Sequence, residues 1–259
     1  MTEKQTKRDR NPLRITALVL TAAALALAVL LAVLLATTFL ETAELSPGNL
    51  FGLLLLVVIV TGAFIGLPGV GLVLLLLDLA RPTDSLHSRY PTALILISVG
   101  SFLVCLSFWR EELLLGLIRG VFAGNNDTRA WIGSLAFFAV LLLLTASSVL
   151  IFLSGIFFRK GRDPGRLLVI GTGGAVLYSV IFFVFKLTVL VDRMMRVADA
   201  GSELSVPEYF LYVTDGVVTL YACTALLLSG FAFNSKDNSN YNIYRKHRNP
   251  DPRRKGIEN

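Results

Sequence analysis

Three ionisable side chains lie within long apolar runs of the sequence: Asp78, Lys186 and Asp215. If such a run crosses a bilayer, charge inside it is costly, and an ionisable residue there is a candidate for ion or substrate binding. Lys186 and Asp215 lie at matching depths of two consecutive runs, and we predict an intramembrane ion pair, because pairing lowers the desolvation cost of each charge. The pair could hold two helices together, or it could bind a substrate or relay a proton. Lys186 could also extend to the bilayer surface and meet Asp192 instead.

The second apolar run ends with a candidate charge pair, Asp78 and Arg81. Their position near the end of the run predicts that the pair is interfacial. Small residues and a proline interrupt the same run: Gly62, Gly66, Pro68, Gly69 and Gly71. Small residues allow close helix packing in lipid, and the proline predicts a kink at Pro68. A broken helix of this kind can also form a transport site.

No catalytic, metal or cofactor signature accompanies these residues. Both histidines, His87 and His247, lie in polar segments, so a Ser–His pair inside the membrane has no support. No cluster of His, Cys or carboxylate residues has the spacing of metal ligands. The two cysteines, Cys105 and Cys223, are predicted to lie at different depths and to remain unpaired. We therefore expect a protein that is not an enzyme and that holds no cofactor.

The apolar runs that carry these side chains are long enough to cross a membrane. The chain is 54% hydrophobic and 16% charged, whereas soluble domains carry about 25% charged residues. We predict an all-α integral membrane protein with six transmembrane helices arranged as three hairpins, because about 20 apolar residues span the hydrocarbon core as a helix. The predicted spans are residues 13–40, 50–80, 91–109, 131–158, 167–191 and 208–233. The second is predicted to be one kinked crossing, since two crossings would invert the charge pattern of every later loop.

The distribution of Lys and Arg predicts the orientation of these spans. Eighteen of the 24 basic residues fall in the N-terminal segment, in the loops after spans two and four, and in the C-terminal tail. Loops rich in Lys and Arg stay in the cytoplasm. We therefore predict a cytoplasmic basic segment 1–12, a membrane domain 13–233 and a cytoplasmic basic tail 234–259, in the plasma or inner membrane of the cell. This topology explains the net charge of +6 without nucleic acid.

Two segments outside the spans carry further predictions. Apolar residues at helical spacing in the outer loop 110–125 predict a short interfacial helix. The tail carries a basic cluster: Arg245, Lys246, Arg248, Arg253, Arg254 and Lys255. Such a cluster attracts anionic lipids or an acidic partner at the cytoplasmic face, or it serves only to orient the chain.

The sequence favours a polytopic membrane protein without enzymatic activity, acting as a structural or accessory subunit or as a self-assembling membrane module. Its expected partners are the lipid bilayer, anionic lipids at the cytoplasmic face, and other membrane subunits or a second copy of the chain. One alternative is a small transporter or channel, with a site near the Gly and Pro residues of span two and at Lys186 and Asp215. A second alternative is a membrane sensor that signals through its basic tail.

Overall fold

The computed structural model describes residues 12–42, 66–80, 89–108, 128–160, 162, 164–199 and 206–234. Within these ranges every regular element is a helix, which confirms the predicted all-helical class. The helices are α1 (Pro12–Thr42), α2 (Leu67–Ala80), α3 (Tyr90–Phe108), α4 (Thr128–Arg159), α5 (Gly165–Asp199) and α6 (Val206–Asn234).

Four of the described helices are long and apolar enough to cross a membrane. The four stretches are Pro12–Val33 of α1, Phe138–Arg159 of α4, Gly165–Thr188 of α5 and Val213–Ala232 of α6. The apolar stretches of α2 and α3 are shorter, at Leu67–Ala80 and Tyr90–Leu106. The structure therefore supports a membrane-embedded helical protein, while the count of six spans and the three hairpins stay predictions. Most of predicted span two before α2 lies outside the described residues.

The ends of the helices differ from the predicted span ends most clearly in α5. This helix continues to Asp199, well beyond residue 191. The extension includes Met194, Met195 and Arg196, which have high helix propensity, so the backbone stays helical after the apolar run ends. The predicted interfacial helix at 110–125 and the basic tail lie outside the described residues.

Neighbouring helices pack in chain order and run antiparallel. Each described helix contacts the next one along the chain, and α6 contacts α1, so these helices form a closed ring. Their directions follow from contacts between the start of one helix and the end of another. Arg14 in α1 donates hydrogen bonds to the Leu79 carbonyl near the end of α2. Gly230 near the end of α6 lies against Leu168 near the start of α5.

Small residues bring the helix backbones close together at the α2–α3 and α4–α5 contacts. A Cβ atom added to Gly71 of α2 would lie 2.6 Å from Ile97 Cγ1 of α3. A Cβ atom added to Gly171 of α5 would lie 2.9 Å from Leu150 Cβ of α4. Packing of this kind stabilises helix association in lipid, where no hydrophobic effect drives the helices together.

The buried core contains hydroxyl as well as apolar side chains, whereas the exterior is apolar. Eight of the nine buried Ser and Thr residues in the described ranges donate to a backbone carbonyl three or four residues earlier in their own helix. They are Thr21, Ser98, Ser147, Ser148, Ser154, Thr172, Ser179 and Ser229. Large apolar side chains are exposed instead, among them Val19, Val29, Ile170 and Leu177. This distribution suits lipid as the surrounding medium, because lipid offers no hydrogen-bond partners.

We expect Gly71→Leu to destabilise the fold and Gly69→Leu to leave it intact. The new side chain at position 71 would overlap Ile97, and overpacking of this kind costs roughly 1–3 kcal/mol. A Cβ atom at position 69 meets nothing within 4 Å, so the neighbouring glycine provides a matched control. Thermal unfolding in detergent micelles measures both variants. Equal melting temperatures for the two variants would contradict close α2–α3 packing.

Candidate functional site

A pair of opposite charges joins α5 to α6 at the rim of the candidate spans. Lys186 Nζ lies 2.6 Å from Asp215 Oδ2, and the two side chains are 26% and 30% exposed. Lys186 stands just before Thr188, where the apolar stretch of α5 ends, and Asp215 stands just after Val213, where that of α6 begins. The structure thus brings together the two charges that the sequence places at matching depth. The pair lies near the ends of the candidate spans of α5 and α6 and is partly exposed.

Neighbouring groups hold both members of the pair in place. The Lys186 ammonium lies 5.2 Å from the centroid of the Phe182 ring, which is a cation–π contact. The Asp215 carboxylate also accepts a hydrogen bond through Oδ1 from the Gly216 backbone N–H, at 2.8 Å. Phe182 in turn stacks on Tyr178, with ring centroids 5.7 Å apart. Both carboxylate oxygens of Asp215 therefore have a hydrogen-bond donor, and the Lys186 ammonium has an acceptor.

The close approach of α5 and α6 at this pair depends on a glycine that sequence reasoning missed. Gly216 follows Asp215 directly, and a Cβ atom added there would lie 3.2 Å from Phe183 Cδ2 on α5. Thr219 braces the same turn of α6, since its hydroxyl donates to the Asp215 carbonyl at 2.7 Å. A small residue beside a charge in an apolar run is a signal that could have identified this contact.

At the opposite end of α6, a buried hydroxyl pair joins this helix to α3. The hydroxyl oxygens of Tyr90 and Ser229 are 3.2 Å apart. Ser229 donates its own proton to the Leu226 carbonyl, so Tyr90 is the donor within the pair. Phe158 of α4 meets the Tyr90 ring edge to face, with centroids 5.6 Å apart. Three helices therefore converge on one tyrosine, which sequence reasoning also missed.

Asp78, the third charged candidate, joins α2 to α3. Its Oδ1 accepts a hydrogen bond at 3.2 Å from the backbone N–H of Arg89, directly before the first residue of α3. The adjacent Leu79 carbonyl accepts from Arg14 Nε at 2.9 Å and from Arg14 Nη2 at 2.6 Å. A cation at the C-terminal end of a helix is also favoured by the helix dipole. These contacts fasten α1, α2 and α3 together at one end of the ring.

Some of the Gly and Pro residues of span two pack against α3, and others do not. Pro68 lies against Gly100 of α3, whereas Gly69 faces open space and Gly71 packs as described above. Gly66 is the first described residue of this segment, so the kink predicted at Pro68 stays a prediction. The candidates outside the described residues are Gly62, Arg81, Arg245, Lys246, Arg248, Arg253, Arg254 and Lys255.

Neither a metal site nor similarity to known proteins indicates the function of this chain. The described part of the chain contains no group of three or more His, Cys, Asp or Glu side chains that could hold a metal ion. Cys105 and Cys223 are free thiols. Comparison of the chain with protein-family models, curated proteins and solved structures finds no match. The function is therefore inferred from the contacts of the chain itself.

The Lys186–Asp215 contact predicts non-additive effects of substitution. Lys186→Met or Asp215→Leu alone leaves one partly buried charge without its partner, at a cost of roughly 1–3 kcal/mol. The double variant removes both charges, and we expect it to recover most of that loss. Thermal unfolding of the four proteins in a double-mutant cycle measures the coupling. A coupling near zero would mean that the contact adds nothing to stability.

Proposed function

We propose that this chain is a non-enzymatic membrane protein that assembles with itself or with other membrane subunits. The state of its buried polar groups carries the proposal. In the described residues, eight buried hydroxyls bond within their own helices, and Lys186 and Asp215 bond to each other. These polar groups already have partners within the protein, whereas catalysis needs polar groups that can bind a substrate.

The proposed topology has six spans in three hairpins, with both termini in the cytoplasm. α2 and α3 lie between α1 and α4 in the ring, and α1 and α4 both have apolar stretches of span length. Because α2 and α3 pack against these two helices, we propose that they cross the membrane as well. Lys160 and Arg162 are exposed between α4 and α5, and Arg166 is exposed in the first turn of α5. The positive-inside rule assigns this end to the cytoplasmic side of the cell membrane.

An exposed face of α1 supports the assembly proposal. α1 is the least buried of the four candidate spans, because only 17% of its most apolar stretch is buried inside the protein. Small and β-branched residues follow one exposed line at alternating steps of four and three: Ile15, Val19, Ala22, Ala26, Val29 and Val33. Residues of this size allow two helices to approach closely in lipid. Their average period of about 3.6 residues is that of an α-helix, so they lie on one face that a second helix could contact.

Cysteine crosslinking in native membranes tests the assembly. In a background with Cys105→Ala and Cys223→Ala, we expect Ala26→Cys to give a crosslinked product with a second chain. Native mass spectrometry of the purified complex then identifies that chain as a second copy or another subunit. Leu142→Cys, at an exposed position of α4, is the control. Equal crosslinking at both positions, or a monomer that crosslinks at neither, would contradict the proposal.

Transport is the second candidate function, and the partial exposure of the charge pair favours it. Side chains that are 26% and 30% exposed can exchange their partner for a charged solute. Flux into reconstituted vesicles separates the two functions. Transport predicts a stable but inactive double variant, Lys186→Met with Asp215→Leu. Assembly predicts that the same double variant keeps the subunit composition of the wild type.

A further inference from the structure

Four exposed cations lie in the turn between α4 and α5 and at the adjoining helix ends. They are Arg159, Lys160, Arg162 and Arg166. Arg159 donates through Nη2 to the Thr92 hydroxyl at 3.0 Å, which leaves the other three to face solvent. None of these three forms an ion pair among the residues that the structure describes. The acid of this turn, Asp163, lies outside the described residues.

Backbone hydrogen bonds fix where these cations lie. The Arg162 N–H donates to the Phe157 carbonyl at 2.9 Å, which is the bond that closes a Schellman motif at the end of a helix. The Leu168 N–H donates to the Pro164 carbonyl at 2.9 Å, at the start of α5. Backbone hydrogen bonds are thus present on both sides of this short link, and the exposed Lys160, Arg162 and Arg166 lie within seven residues of one another.

Arg166 occupies a position where a helix by itself disfavours a cation. It lies in the first turn of α5, which contains no acidic residue, and the N-terminal end of a helix carries partial positive charge. An anion at this position is attracted both by Arg166 and by the N–H groups of the first turn. The arginine fork also matches phosphate geometry with two parallel N–H donors. The chemistry of the cluster thus fits a phosphate group.

On the exposed face of α5 that follows Arg166, the side chains of Ile170 and Leu177 flank an apolar gap over Gly173, which we call the trough. Ile170 and Leu177 follow Arg166 on the same helix face and are 62% and 53% exposed. Gly173 lies between them, and a Cβ atom added there meets nothing within 4 Å. At a rise of ~1.5 Å per residue, the helix face from Arg166 to Leu177 is about 16 Å long, and the trough lies in its second half. That length is about half of the ~30 Å hydrocarbon core, which is the reach of one acyl chain in one leaflet.

We propose that the α4–α5 turn and this trough bind one phospholipid with an anionic headgroup. Lys160, Arg162 and Arg166 bind the headgroup phosphate, and one acyl chain lies along the trough over Gly173. The trough selects a lipid over a free phosphate, and the cations select an anionic headgroup over a zwitterionic one. The site rests on the proposed topology, which places this end of the ring in the cytoplasmic leaflet. Its residues are different from those of the basic cluster in the tail.

Native mass spectrometry of the purified full chain, titrated with phosphatidylglycerol or phosphatidylcholine in detergent, tests this site. We expect one phosphatidylglycerol to bind more tightly than phosphatidylcholine. Arg162→Gln with Arg166→Gln should weaken phosphatidylglycerol binding about 25-fold, because each cation near an anionic lipid surface contributes about fivefold. Gly173→Leu should weaken the binding severalfold, because the new side chain fills the trough without a clash in the protein.

Two matched variants separate this site from general effects. Arg253→Gln with Arg254→Gln removes the same charge from the tail, and Gly69→Leu adds the same side chain at an open position of α2. We expect both to bind phosphatidylglycerol as the wild type does. An equal loss in the tail variant would assign binding to net charge and overturn the site, as would equal binding of the two lipids. Full competition by glycerol phosphate would overturn the role of the trough.

This test is distinguishable from the test of assembly. Crosslinking at Ala26 reports contact between chains, whereas the titration reports lipid bound to one chain. A monomer that retains phosphatidylglycerol through the turn would overturn assembly and support the lipid site. A cysteine introduced by Lys160→Cys should resist an impermeant thiol reagent added outside intact cells. Labelling from outside would overturn both the proposed orientation and the cytoplasmic leaflet of this site.

Discussion

Close contact between helix backbones is the constraint on which the rest of the structure depends. Lipid is as apolar as the helix surfaces, so association relies on van der Waals packing and on a few hydrogen bonds. Gly71, Gly171 and Gly216 lie at the α2–α3, α4–α5 and α5–α6 contacts, where a Cβ atom would collide with or crowd the neighbour. The buried hydroxyls meet the same requirement, because a bond to the preceding turn leaves no polar atom unsatisfied at the contact.

α6 makes two polar contacts with other helices, an ion pair near its start and a hydroxyl pair near its end. Near one end of the candidate spans, the Lys186–Asp215 contact is about a quarter to a third exposed, and pairing lowers the cost of placing charge in a helix contact. At the other end, Tyr90 and Ser229 are fully buried, and neutral hydroxyls make the link to α3. Burying an ion pair at that second position would carry a larger desolvation cost. The degree of burial thus explains which chemistry holds each end of α6.

Features that depend on residues near each other along the chain could be predicted from the sequence, and contacts across the ring could not. Helical class follows from the length and composition of the apolar runs, and the depth of Lys186 and Asp215 follows from a fixed rise per residue on consecutive helices. Tyr90 and Ser229 lie on α3 and α6, which are not consecutive, and neither residue type is unusual in its run. Their contact required knowledge of how the ring closes. The helix α5 extends beyond the predicted span 167–191 for another reason, since the backbone remains helical where the side chains cease to be apolar.

The contact between α1 and α6 joins the first and last described helices of the ring. A ribosome delivers helices in chain order, so α1 enters the membrane long before its partner exists. Until α6 is present, the flank of α1 that contacts it remains open, and so does the corresponding flank of α5 once that helix has been made. Insertion of α6 closes both at once. The last described helix therefore determines when the ring closes, and a product that ends before α6 lacks both contacts that α6 makes within the ring.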